Sequence, residues 1–102
     1  MSLIPGKLYM CEDYFLMLYP DHVSAVTRPS VRLRTLAQSA IRAHLEADYW
    51  TKKFGKLVSY LNQNSMFLVL SVRGEYVEVL VGDKKSWIVN EDFLEIKEIN
   101  NV

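Results

Sequence analysis

Between Met66 and Ile96 the chain passes through several short apolar segments, broken at close intervals by Gly, Asp, Asn and Lys. That rhythm predicts a run of short antiparallel strands and narrows the fold more than any other feature. Met66 to Val72 is almost wholly apolar, which predicts a strand covered on both faces. Arg73-Gly74 interrupts it with the residue type a tight hairpin favours. From Tyr76 to Val81, Val77, Val79 and Val81 alternate with Tyr76, Glu78 and Leu80. The β-branched set is expected to face the core. A turn at Gly82 to Lys85, a strand over Ser86 to Val89, a tight turn at Asn90 to Asp92 and a closing strand from Phe93 to Ile99 complete the pattern. Short strands at such spacing imply a small barrel or sandwich.

The earlier residues add two units. Leu3 to Val26 reads as a β-hairpin, with a strand over Gly6 to Cys11, a turn at Glu12-Asp13 and a return from Tyr14 to Tyr19. Pro20 ends it because proline has no N–H for a strand ladder. Ser30 to Phe54 reads as one amphipathic helix, with Leu33, Leu36, Ala37, Ala40, Ile41, His44, Ala47, Thr51 and Phe54 on its apolar side. Ser30 is the expected N-cap and Gly55 the expected stop. The expected whole is one domain over residues 1–102, mainly β with one helix. It holds five to seven short antiparallel strands and divides into a hairpin (3–26), a helix (30–54) and barrel strands (55–99).

The pattern from Phe67 onward resembles the second half of a Src-homology-3 barrel. Phe67–Val72, Tyr76–Val81, Trp87–Val89, the turn Asn90–Phe93 and Leu94–Ile96 stand for that family's strand, hairpin strand, aromatic-bearing strand, one-turn helix and last strand. The resemblance covers about a third of the chain, and half if Gly55 to Tyr60 is the opening strand. It implies a small barrel with an aromatic groove, to which Tyr76, Trp87 and Tyr60 would belong. It does not carry over the family's recognition of proline-rich peptides. Val77 follows Tyr76 where the family pairs tryptophans, Val89 replaces a proline, and Phe93 replaces a tyrosine. The overall style also resembles short proteins of marine tailed phages, which implies no activity.

Charge is unevenly placed along a chain whose formal net charge is zero. Residues 28 to 56 hold seven basic and two acidic side chains, and both flanks are acidic. Arg34, Arg42, Lys52 and Lys53 form a basic helix face. Such a face can follow phosphates, with Tyr49 and Trp50 available to stack on bases. It also fits a solvated surface that complements the acidic strands. Single Cys11 admits no internal disulfide, and the expected location is a reducing cytoplasm without a secretory leader.

Catalytic and metal chemistry find little footing. Cys11 with His22 or His44 would be a nucleophile and base, but Cys11 falls in a strand pattern where thiols are packing groups. His44 and Asp48 stand one helical turn apart, yet three His and Cys residues are few for zinc, and His44 reads as a core histidine. No cofactor, metal or enzymatic activity is expected. The expected role is a binding or assembly module for a protein partner or a second copy. It would use either the Tyr76–Trp87 side or the helix face, with nucleic-acid binding as the alternative.

Overall fold

The computed structural model describes residues 3–12, 15–27, 36–37, 39–89 and 96–99, the pair 36–37 by its backbone. Its organising strand is β2 (Phe15–Leu18), all four of whose side chains are buried. A strand with no polar face needs cover on both sides. Leu16 and Leu18 enter one apolar cluster with Tyr9, Phe67, Val69, Val77, Val79 and Ile88. Phe15 and Met17, followed by Tyr19, enter a second cluster with Ala43, Ala47, Trp50, Trp87 and Val89. The two clusters occupy the opposite sides of β2 that strand alternation creates.

Two open antiparallel sheets enclose these clusters. The larger has the order β7-β6-β5-β1-β8, built from β1 (Leu8–Cys11), β5 (Met66–Arg73), β6 (Tyr76–Val81), β7 (Lys84–Val89) and β8 (Ile96–Glu98). The smaller has β2 between β3 (Leu36–Ala37) and β4 (Ser59–Leu61). One reciprocal bridge joins them. Tyr19 N–H donates to Trp87 O at 2.9 Å, and Trp87 N–H donates to Tyr19 O at 2.8 Å. Two helices cover the second cluster, α1 (His22–Thr27) and α2 (Ala40–Phe54).

The β5–β6–β7 meander follows its sequence pattern closely. Val77 and Val79 are buried and Val81 is partly so, as the alternation predicts. Gly74 and Gly82 sit at φ +58° and +62° in the two hairpins, a region L side chains seldom adopt. The second turn is tighter than expected, so β7 begins at Lys84. β5 differs: Phe67 and Val69 are buried but Met66 is exposed, so it is covered mainly on one face.

Several expectations are corrected. The strands form open sheets and do not close into a barrel. Eight strands and two helices stand among the described residues, where five to seven strands and one helix were expected. β1 and β2 do not pair as a hairpin. β1 lies between β5 and β8, and β2 between β3 and β4. A two-stranded hairpin would have left one face of Phe15–Leu18 in water.

The predicted helix over 30–54 contains a strand pair at 36–37 and begins only after Ser39. Ser30, Leu33 and Arg34 lie outside the described residues, as does the predicted turn Asn90–Phe93. Ser39 Oγ accepts the N–H of Arg42 at 3.2 Å and is the N-cap. Gly55 ends α2 as expected, at φ +72° with its N–H on Thr51 O. The missed helix α1 starts where Asp21 Oδ1 accepts the N–H of Ser24 at 2.8 Å, so the residues read as a strand stop are a helix cap.

Shaving Leu16 to alanine removes volume from a site closed on both sides. Leu16→Ala is expected to cost about 2–5 kcal/mol in urea unfolding. Ile41→Ala on the exposed face of α2 should stay within about 0.5 kcal/mol.

Candidate functional site

Helix α2 keeps Ala47 and Phe54 of the expected inner face but turns Ala40, Ile41 and His44 outward and brings Ala43 and Trp50 in. Ala43, Ala47 and Trp50 are buried, with Phe54 packed against the same cluster. Trp50 and Phe54 stack at 5.4 Å between ring centroids. Two large aromatic rings outweigh Ile41 and Leu45 in deciding which face is hidden. His44, expected in the core, is exposed. The outward row is Ile41, Leu45 and Tyr49, which are 76%, 62% and 51% exposed. At intervals of four residues they form one ridge along the helix.

Beside that ridge lies a cavity of about 370 Å³ lined by Arg42, Leu45, Glu46, Tyr49 and Trp50. The ring of Tyr49 stands edge-on to Trp50 at 4.9 Å. Glu46 Oε1 accepts from Arg42 Nε at 3.3 Å, while Oε2 is buried without a hydrogen-bond partner. Loss of water around the Glu46 carboxylate raises its pKa above the usual glutamate value, and Arg42 offsets this only in part. The cavity therefore combines an aromatic wall, an apolar wall and a carboxylate with one free acceptor.

Of the aromatic groove, the structure brings two members together. Tyr76 and Trp87 both flank His22, at 5.4 and 5.0 Å between centroids. The guanidinium of Arg73 lies 5.4 Å over the Trp87 ring, within cation–π range. Trp87 is only 8% exposed, so Arg73 and the half-buried Tyr76 form the outer surface there. Tyr60 stands apart, on β4 in the smaller sheet, edge-on to Phe15 at 5.7 Å.

Two members of the basic face, and Lys56 beyond it, are paired. Arg42 meets Glu46, Lys52 meets Asp48 at 3.1 Å, and Lys56 meets Asp21 at 2.6 Å. Lys53 is exposed in the last turn, where it complements the helix dipole with Lys52. Arg34 lies outside the described residues. Cys11 is buried in the apolar cluster under β1. Among the described residues no three His, Cys, Asp or Glu side chains gather as a metal site. No helix there is long and apolar enough to cross a membrane.

The Ile41–Leu45–Tyr49 ridge was the feature sequence reasoning missed, because Ile41 was read as core, Leu45 was left unassigned and Tyr49 was read only as a possible stacking partner for bases. The large rings at Trp50 and Phe54, four residues apart, are the signal that marks the inner face.

No protein-family model matches the chain, and neither the curated proteins nor the solved structures contain a match.

Two pH dependences follow. Asp21 has its pKa lowered from 3.8 to about 2, first by the hydrogen bond from Lys56 and then by the Ser24 N–H. A depressed folded pKa contributes stability above the unfolded value and loses it as pH falls through the folded one. Wild type should lose stability between about pH 4 and pH 2 more steeply than Asp21→Asn, as measured by urea midpoints across that range. Glu46 carries the opposite sign: its raised pKa means that ionisation opposes folding. Glu46→Gln should melt at a higher temperature than wild type at neutral pH, with the gap closing as pH falls and Glu46 protonates.

Proposed function

We propose that the chain is a non-enzymatic binding or assembly module that docks a protein partner on the outer face of α2. The observation that carries this reading is the Ile41–Leu45–Tyr49 ridge, three large side chains left mostly in water beside a cavity with a carboxylate. Scattered exposed apolar residues are ordinary, whereas a contiguous apolar patch with a polar rim is one mark of an interaction surface. The ridge supplies apolar contact, and Arg42, Glu46, Asp48 and Lys52 supply a polar rim.

Two other surfaces lend less support. The Tyr76–Trp87 side keeps Trp87 covered, and Tyr60 does not join it. The resemblance of the strand pattern to Src-homology-3 domains would fit a binding role, but the sheets here are open and carry no barrel groove. The alternative, a nucleic-acid accessory role, draws on cations of which Arg42, Lys52 and Lys56 already face carboxylates. Exposed ion pairs are weak and phosphate can compete for them, so among the described residues of the basic face the remaining footprint centres on Lys53.

The test compares wild type, Leu45→Glu and Tyr76→Ala as purified baits, with each recovered protein then titrated in pure form. Wild type and Tyr76→Ala should bind alike, and Leu45→Glu should bind at least about tenfold more weakly with an unchanged melting temperature. Equal binding by Leu45→Glu, or loss confined to Tyr76→Ala, would move the site off α2. Oligonucleotide binding that weakens steeply with salt and disappears in Lys53→Glu would replace the reading altogether.

A further inference from the structure

The outer face of α2 is self-complementary, which narrows the partner. This step rests on the docking face just described. At about 100° per residue, Leu45 marks the middle of the face, with Ile41 and Tyr49 about 40° to either side. Arg42 and Glu46 both fall on the Tyr49 flank, about 60° and 100° round. That flank is also where the cavity opens.

We propose that the occupant of this face is a second copy of the same chain, its α2 lying antiparallel across a two-fold axis at Leu45. Such an axis, perpendicular to both helices, sets each flank against the same flank of the other copy. Leu45 then meets Leu45 of the partner copy. Arg42 falls beside Glu46 and Tyr49 of the partner copy, offset by roughly 3 Å and 1.5 Å along the helix at the ordinary rise. The same contact is made twice. Each guanidinium enters the other copy's cavity, between a carboxylate and a tyrosine ring.

The groups needed line the cavity. Glu46 Oε2 has no hydrogen-bond partner, and because it is buried in the single copy the carboxylate must turn toward the cavity mouth to meet the incoming guanidinium. Arg42 uses Nε for its own Glu46, and among the described residues its terminal nitrogens have no other bond. Arginine's planar fork serves two carboxylates at once, so pairing across the axis need not break pairing within the chain. A parallel pair would set Arg42 beside Ile41 and Glu46 opposite His44, with no exchange of charge. The antiparallel arrangement is therefore the one the side chains select.

Area sets the strength. The three ridge residues expose on the order of 300–400 Å² of side chain per copy. Doubled and extended by the stems of Arg42, Asp48 and Lys52, the contact reaches roughly 1,000 Å², the low end for specific complexes. A micromolar dimer is the expected result.

The deciding experiment is sedimentation equilibrium of the full chain from about 1 to 300 µM, spanning the expected dissociation constant. Wild type should pass from monomer to dimer. Arg42→Glu and Glu46→Arg should each weaken self-association at least about tenfold, through like charges meeting twice. Mixed in equal amounts, the two variants should form a heterodimer, because every guanidinium then faces a carboxylate. Leu45→Glu, at the axis, should be monomeric and should melt with wild type at concentrations below the dissociation constant, which guards against a variant that fails to fold. Wild type that stays monomeric throughout would overturn the second-copy proposal. The docking face itself would survive if Leu45→Glu still abolished binding of a different protein, and would fall with it otherwise. A dimer indifferent to all these changes would place self-association elsewhere and equally overturn the proposal.

Discussion

Burial of β2 on both faces is the constraint on which the other elements depend. Phe15, Leu16, Met17 and Leu18 offer no side for water, so the strand sits between two apolar clusters. The larger sheet closes one side with Phe67, Val69, Val77, Val79 and Ile88. The helices close the other through Ala25, Ala43, Ala47 and Trp50. The Tyr19–Trp87 bridge then ties the strand's end to β7, a strand that also serves both clusters. Removing the polar face from one four-residue strand thus explains why two sheets and two helices are needed around it.

The face α2 presents to water follows from what it must hide. Small residues at Ala43 and Ala47 let the backbone approach β2 and β4, and Trp50 and Phe54 fill the space toward the helix end. The contact is locked locally. Thr51 Oγ1 accepts the N–H of Val58 at 2.8 Å and lies 2.7 Å from Ala47 O, tying the last turn of α2 to the chain entering β4. With rotation fixed in this way, Ile41, Leu45 and Tyr49 have no route inward. Their exposure is a consequence of packing, and no substitution confined to the outer face would relieve it without losing the ridge.

The meander of β5, β6 and β7 was legible because its information is local: a period of two and glycines at the hairpins. The Val77–Val79 face and the Gly55 helix stop belong to the same class. What failed was non-local. β1 and β2 are adjacent strands whose pairing depends on partners some fifty residues away, as in Tyr9↔Phe67 and Leu16↔Leu61, and nothing between Cys11 and Phe15 reports this. The start of α2 was misplaced because Leu36 and Ala37 continue the helical spacing, yet hydrogen-bond to Phe15 and Leu16 as a strand. The candidate site was hidden by the same ambiguity. Counting apolar positions around α2 gives two competing faces, and only the volume of Trp50 and Phe54 against β2 separates them.

The basic excess in the middle of the sequence is met in part by ion pairs, at Arg42, Lys52 and Lys56 among the described residues. Lys56 reaches back to Asp21 across 35 residues and holds the cap of α1, while Lys7–Glu98 and Lys97–Glu12 join β1 to β8. Each exposed pair contributes little by itself. Of these, only Lys56–Asp21 joins the basic middle of the chain to an acidic flank; the other two join the acidic flanks to each other. Glu46 is the exception among the acidic groups. Its carboxylate is mostly withdrawn from water, its side chain 12% exposed, yet only one oxygen has found a cation. Burial without full pairing opposes folding, and a neutral glutamine at this position would avoid that cost. A half-satisfied carboxylate flanking the one aligned apolar ridge on α2 is coherent if a second cation arrives from outside, because association then removes both the exposed ridge and the unmet acceptor in a single step.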